Sequence, residues 1–245
     1  MKSETYSKIA EPSEAFPYKP PSNEIKQKYA RVFEIKKALP PRLVKLAFDK
    51  TVSLIILLLT MPIFALLKIA YLVEGFFIPE NRGPMIFYYM AVSEGRIFKK
   101  YKLRLIKQSY IDQDAASRHE WIAYSAEWND ESRTIVGTFV KKYYLDELPQ
   151  FWSVLVGDMS LVGPRPISVM HFERDAAQGN VVRGLIRGGM LGLGHINKGT
   201  DEMGNPVYEY EYICEYLDKG PIGLLKLDIW IIWKGIRLIF KGGGH

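Results

Sequence analysis

A single cysteine, Cys214, stands in a chain of 245 residues, which excludes an intrachain disulfide framework and a cysteine-rich zinc site. Histidine is nearly as scarce. His119, His171, His195 and His245 are scattered, with no pair at HExxH spacing, so no histidine-based transition-metal site is expected. No Gly-Lys-Ser/Thr step occurs, which removes the Walker phosphate loop despite five glycines between Gly184 and Gly194. The polar first residues lack the order of a secretory leader. No internal repeat is apparent, and no recognised nucleic-acid module appears, so no nucleic-acid partner is expected.

What the chain does carry is positive charge and one long apolar run. Its net charge of +6 suits an anionic lipid or a phosphorylated substrate as well as a nucleic acid, and does not choose among them. Four regions follow from composition. Residues 1–41 are polar and proline-rich and read as a flexible arm, with a short basic amphipathic helix possible between Asn23 and Leu39. Residues 42–75 hold the membrane-grade stretch, in which Lys50 and Lys68 bracket the uncharged run Thr51–Leu67. That run sits at the floor of about 17 residues for a spanning helix. Pro62 near its middle removes an intrahelical hydrogen bond, and Thr60 stands ready to bond a freed carbonyl. Cations flank both ends, which a one-way crossing does not favour. A helix that dips in, kinks at Pro62 and returns to the same face satisfies all three facts. A kinked spanning helix and a buried core helix are the alternatives.

Residues 76–221 are soluble in character. A hairpin is expected between Gly83 and Lys107, turning at Ser93-Glu94-Gly95. Its second strand puts Phe98, Lys100, Lys102 and Arg104 in one register. Those three cations make either a phosphate surface or a solvated edge that deters aggregation. The run Tyr208–Tyr216 reads as packing. Residues 222–245 set tryptophans among Lys226, Lys234, Arg237 and Lys241, the pattern of an interfacial helix, with a core helix as the other reading.

The densest chemistry lies between Leu145 and Pro166. Asp146 and Glu147 are adjacent, so on a helix they point about 100° apart and cannot act as two equivalent jaws. They suit a division of labour, one carboxylate attacking or binding a metal while its neighbour orients. Ordinary helix-start chemistry explains the same pair. Pro149 fits a first helical turn and Gly157 a stop. Gly163-Pro164-Arg165-Pro166 is a stiff turn that presents one guanidinium.

With these residues assembled, the chain resembles the bacterial sugar transferase family, the monotopic polyprenyl-phosphate phosphoglycosyl transferases that begin glycan assembly on a lipid carrier. The resemblance spans roughly residues 42 to 240. It rests on Lys45, Phe48 and Asp49, Trp128-Asn129-Asp130, Ser132-Arg133-Thr134, Val136-Gly137, residues 145–150, residues 157–166 and Asn197, in that order.

The resemblance implies an α+β, mainly helical monotopic membrane protein, with a proline-broken re-entrant helix, interfacial helices and a small β-hairpin. The catalytic domain would sit on the cytoplasmic face of a bacterial inner membrane, without the four-helix membrane bundle of larger members. The implied reaction moves sugar-1-phosphate from a UDP-sugar to polyprenyl (undecaprenyl) phosphate and releases UMP. It opens exopolysaccharide, O-antigen or glycoconjugate assembly. By the resemblance Asp146 is the nucleophile, magnesium sits at the dyad, and membrane lipid is a partner; a homodimer is compatible. Phosphoryl transfer also needs cations on the non-bridging oxygens, and Lys102, Arg104, Lys141 and Arg165 are the candidates, with Arg187 and Asn197 from the later turns. Four departures touch the turns: Met90–Gly95 replaces an Asn-Arg turn, Lys141 an arginine, Gly188 a proline, and His195–Gly199 a Gln-Val-Asn-Gly-Arg run. A catalytically silent scaffold of a polysaccharide assembly complex accounts for those departures, but not for the intact dyad.

Overall fold

The computed structural model describes residues 20–111, 117, 129–197 and 205–240. Most of the arm (1–19), residues 112–116 and 118–128 with Trp128 among them, Lys198, Gly199 and Lys241 lie outside the described residues. In the described part of the arm, the helix expected between Asn23 and Leu39 forms as two short ones. Helices α1 (Asn23–Lys28) and α2 (Ala30–Phe33) dock on the body, with Tyr29 and Val32 in the main core and Tyr29 stacked 5.8 Å from Tyr210. A polar segment still folds here because its few apolar residues fall on one face. Arg31 adds an ion pair to Asp218.

Helix α3 (Leu43–Phe77) is 35 residues long, roughly 50 Å at 1.5 Å per residue. It runs unbroken through Pro62, so the expected break is absent at the level of secondary structure. Thr60 Oγ1 bonds Ile56 O at 2.7 Å, and not the Leu58 carbonyl that Pro62 leaves without an amide donor. The middle of α3, including Leu54, Leu58, Leu59, Met61 and Leu66, is exposed. It is the one helix among the described residues long and apolar enough to cross a membrane.

Both ends of α3 are held by the body. At the start, Lys45 Nζ meets Asp228 Oδ2 at 2.7 Å and Ser160 Oγ donates to Asp49 Oδ2 at 2.6 Å. Near the end, the Tyr71 hydroxyl donates to the Arg104 carbonyl. Glu74 Oε1 accepts from Ile135 N at 2.6 Å and Oε2 from Val136 N at 3.1 Å. Those are first-turn amides of α4 (Ile135–Lys142), which have no partner within their own helix.

The hairpin forms as expected. Strands β1 (Ile86–Ser93) and β2 (Arg96–Leu103) pair antiparallel through a two-residue turn, Glu94 and Gly95, both at positive φ (53° and 71°). Two additions were not expected. Strand β4 (Ile167–Ser168) extends the sheet in the order β2-β1-β4, and β3 (Ser160–Val162) pairs parallel with β5 (Gly189–Leu191). The β3–β5 crossing admits no side chain: a Cβ on Gly189 would lie 2.0 Å from Gly163 N. Helix α5 (Gln150–Val156) packs between α3 and β2, while α6 (Val169–Ala177) lies against β1 and β4. Helix α7 (Val207–Asp218) buries Tyr210, Tyr212 and Tyr216 as packing residues.

Helix α8 (Pro221–Phe240) has two faces. Leu224, Asp228 and Ile231 are buried, whereas Ile222, Ile229, Trp230, Trp233 and Ile236 are exposed. Lys234 sits 5.5 Å from the Trp230 ring and Arg237 4.6 Å from Trp233. The core-helix reading holds for one face only. The described part of the molecule is therefore mainly helical, with two small sheets and one long apolar helix.

Candidate active site

The dyad is positioned by a sharp local path. Helix α4 ends at Lys142, and Tyr144 adopts a left-handed conformation (φ 55°, ψ 26°) that costs a non-glycine residue about 1–2 kcal/mol. This turns the chain into a 3₁₀ turn, Leu145–Glu147, separate from the helix that follows. Pro149 caps α5 without needing an amide partner, and Gly157 (φ 97°) ends it. Asp146 and Glu147 thus face different neighbours, as their adjacency requires.

Asp146 is 3% exposed, and Lys102 Nζ lies 3.1 Å from its Oδ2. Glu147, half-buried, forms an ion pair with Arg165 NH2. Arg165 NH1 in turn stands 3.3 Å from His195 Nε2, which accepts in the tautomer protonated at Nδ1. Burial alone would raise the Glu147 carboxyl. Arg165, then Lys102 and Lys100, outweigh that and hold it well below the usual carboxylate range. Burial has the opposite consequence for Lys100: together with the charges of Arg165 and Lys102 it keeps that amine well below an ordinary lysine, against the pull of Glu147 and Asp146.

The structure therefore brings together Asp146, Glu147, Lys102 and Arg165. It does not bring Arg104 to them. That guanidinium is buried and donates to the carbonyls of Pro84, Ile106 and Asn81 at 2.9, 2.9 and 2.8 Å, a structural post at the end of α3. The reason is local: β2 ends at Leu103, so the strand alternation that aligned Arg104 with Lys102 no longer applies.

Arg187 also faces elsewhere. Its Nε is 3.8 Å from Glu94 Oε2, and it lines a cavity of about 20 Å³ with Arg42, Lys45 and Asp49, where no dyad residue reaches. That volume holds about one water. Lys141 lies in the last turn of α4, half-buried, upstream of the dyad. Asn197 closes the 3₁₀ turn His195–Asn197 whose first residue touches Arg165. Pro62 lies in the exposed middle of α3. Two residues absent from the expected set belong here. His195 gave no spacing signal, while Lys100 shared the Lys102 register.

Among the described residues no group of three or more His, Cys, Asp or Glu is placed to hold a metal ion. The donor chemistry at the dyad nevertheless fits magnesium, a hard cation that takes one or two carboxylates and completes its shell with water and substrate phosphate.

These features converge on one family. The model of the family described as "Bacterial sugar transferase" matches residues 40–242, and the chain belongs to that family. Among curated relatives, the Escherichia coli (strain K12) UDP-glucose:undecaprenyl-phosphate glucose-1-phosphate transferase is 32% identical over 205 residues, covering 81% of this chain and 39% of that protein. The Klebsiella pneumoniae protein of the same name is 35% identical, over 78% of this chain and 37% of its own length. The undecaprenyl-phosphate galactose phosphotransferase of Salmonella typhimurium (strain LT2) is 30% identical, over 82% and 40%. The chain thus spans about two fifths of the length of these relatives.

Proposed function

We propose that this chain transfers sugar-1-phosphate from a UDP-sugar to undecaprenyl or a similar polyprenyl phosphate. The observation that carries the reading is the buried Asp146 beside Lys102, with Arg165 held against Glu147 next to it. The names of the relatives, each an undecaprenyl-phosphate sugar-phosphate transferase, agree with it.

In the first half-reaction an Asp146 carboxylate oxygen attacks the sugar-bearing phosphorus. The bond from that phosphorus to the bridging oxygen breaks, and UMP leaves with the electron pair. In the second half-reaction a polyprenyl phosphate oxygen attacks the same phosphorus, the aspartyl–phosphorus bond breaks, and Asp146 is restored as a carboxylate. Lys102 holds the Asp146 carboxylate in place and neutralises charge as the phosphoryl group arrives. Arg165 releases part of its hold on Glu147 to fork onto phosphate oxygens. Magnesium, held by Asp146 and substrate phosphate oxygens, would supply further positive charge to the phosphates when bound.

The same reading places the chain at a membrane surface, its soluble body on the cytoplasmic face of the inner membrane. Two hydrogen-bonded anchor points tie opposite ends of α3 to one body, which favours a helix that enters and leaves on one side with its bend at Pro62. The aromatic outer face of α8 would then lie in the headgroup layer. The test is UMP release by the nanodisc-held protein with magnesium and polyprenyl phosphate, across a panel of UDP-sugars, beside Asp146→Asn. Release with one donor, lost in the variant, supports transfer and names the sugar. No release from folded protein with any donor sinks the reading.

A further inference from the structure

The turn that carries Arg165 is short of its own hydrogen-bond donors. Pro164 and Pro166 have no N–H, so the turn cannot pin itself through its backbone as other turns do. Three of its four carbonyls are instead gripped from outside. Pro164 O accepts from Gly189 N at 2.8 Å, Arg165 O from Arg183 Nε at 3.1 Å, and Pro166 O from Lys100 Nζ at 3.1 Å. The first grip is backbone and the second belongs to an arginine that also pairs with Asp175 and Glu209. The third is unusual. Lys100 is 1% exposed, and among the described residues it pairs with no carboxylate. Its remaining polar contact is the face of Tyr89, its cross-strand neighbour, at 5.7 Å.

A buried lysine without a counter-ion is costly to keep unless its one hydrogen bond matters. We propose that Lys100 is a positioning residue for Arg165: by holding the Pro166 carbonyl it fixes the turn from which the guanidinium reaches Glu147 and the substrate phosphates. The assignment rests on the transfer reading given above. Its amine is held well below the ordinary lysine range, first by burial and then by Arg165 and Lys102. Its Nζ donates to the Pro166 carbonyl, a grip that any N–H donor in that place can make. Lys100 therefore works through Arg165 and not beside it.

The test combines kinetics with backbone exchange in the full-length, nanodisc-held protein. Lys100→Met keeps the shape and removes the donor; Lys100→Gln keeps a neutral donor. Lys100→Met is expected to lower kcat/KM for UMP release by about tenfold or more, as small displacements of a positioning group do. Lys100→Gln recovers most of it, and the thermal midpoint does not fall in either. In an Arg165→Ala background Lys100→Met has no further effect. Deuterium uptake at the Arg165 and Ile167 amides rises in Lys100→Met and stays near wild type in Lys100→Gln. A full additional loss in the Arg165→Ala background, or unchanged uptake at those amides, overturns the proposal. If the wild type itself releases no UMP, the transfer reading fails separately, and the exchange result alone decides whether Lys100 holds the turn.

Discussion

Asp228→Ala removes the anion at the centre of the latch between α3 and α8. Asp228 is fully buried, its Oδ2 paired with Lys45 Nζ at 2.7 Å and its Oδ1 accepting the Tyr212 hydroxyl at 2.7 Å. Removing one partner of a buried pair costs about 3–5 kcal/mol, because the remaining charge stays desolvated. The Tyr212 hydroxyl loses its shorter hydrogen bond but keeps the Val162 carbonyl at 3.3 Å as an acceptor, so it adds little. Asp49, 3.8 Å from Lys45, recovers part of the loss. We expect a net cost of about 3 kcal/mol, or roughly 6–12 °C in thermal midpoint for a chain of this size. The double variant Lys45→Met/Asp228→Leu should be more stable than the single one, since an apolar pair replaces an ionic one, although buried Asp49 then loses the cation 3.8 Å from it. Tryptophan fluorescence during heating in nanodiscs reads both. A single variant that melts with the wild type, or a double variant as unstable as the single, refutes the argument.

Other perturbations separate structure from chemistry. Arg104→Met should destabilise the fold by about 2–3 kcal/mol, through the buried Ile106 and Asn81 carbonyls and the partly buried Pro84 carbonyl left without this donor, and should reduce activity only as folded protein is lost; urea unfolding with activity per folded molecule checks this. Glu147 has a depressed native pKa, so its stabilising contribution is complete above the ordinary glutamate range and is lost only as pH falls through that depressed value. Arg165→Gln deletes the largest charge holding it down and leaves burial to act, so the acid limb of the rate profile should move to higher pH. An unmoved limb would separate Glu147 from that limb. Pro62→Leu restores the missing amide in α3 and should favour a straight, spanning helix. Impermeant-reagent labelling of cysteines introduced near Lys45 and Glu74 in whole cells should then change from neither site to one.

Local features were legible in the chain because their causes are local. Glu94-Gly95 needs two positive φ angles and so marks its hairpin, Gly157 ends a helix, and Pro149 starts one. The Asp146-Glu147 pair and the Arg165 turn stood out because they share one dense stretch; that Lys102 stands beside Asp146 followed only from the expectation of a phosphate site, and the fold brings the two together. What escaped depends on pairings made by the finished fold. Lys45 meets Asp228 across 183 positions, and neither has a periodicity that names the other. Strands β3, β4 and β5 are two or three residues long, too short for an alternating pattern to show. Arg104 was placed with the phosphate-facing cations because alternation was carried one residue past the end of β2. What the arm's helix packs on was also not legible: Tyr29 and Val32, with Ile25, Phe33, Ile35 and Leu39 around them, join a core whose other members lie far along the chain.

The central claim is that Asp146 takes the phosphosugar covalently. Intact-protein mass spectrometry after mixing with magnesium and the productive UDP-sugar, with polyprenyl phosphate withheld, tests it directly. The account predicts a mass increase of one sugar phosphate, mapped to the peptide holding Asp146, absent in Asp146→Asn and discharged when polyprenyl phosphate is added. Transfer that proceeds with no such adduct, or an adduct that persists in Asp146→Asn, contradicts it.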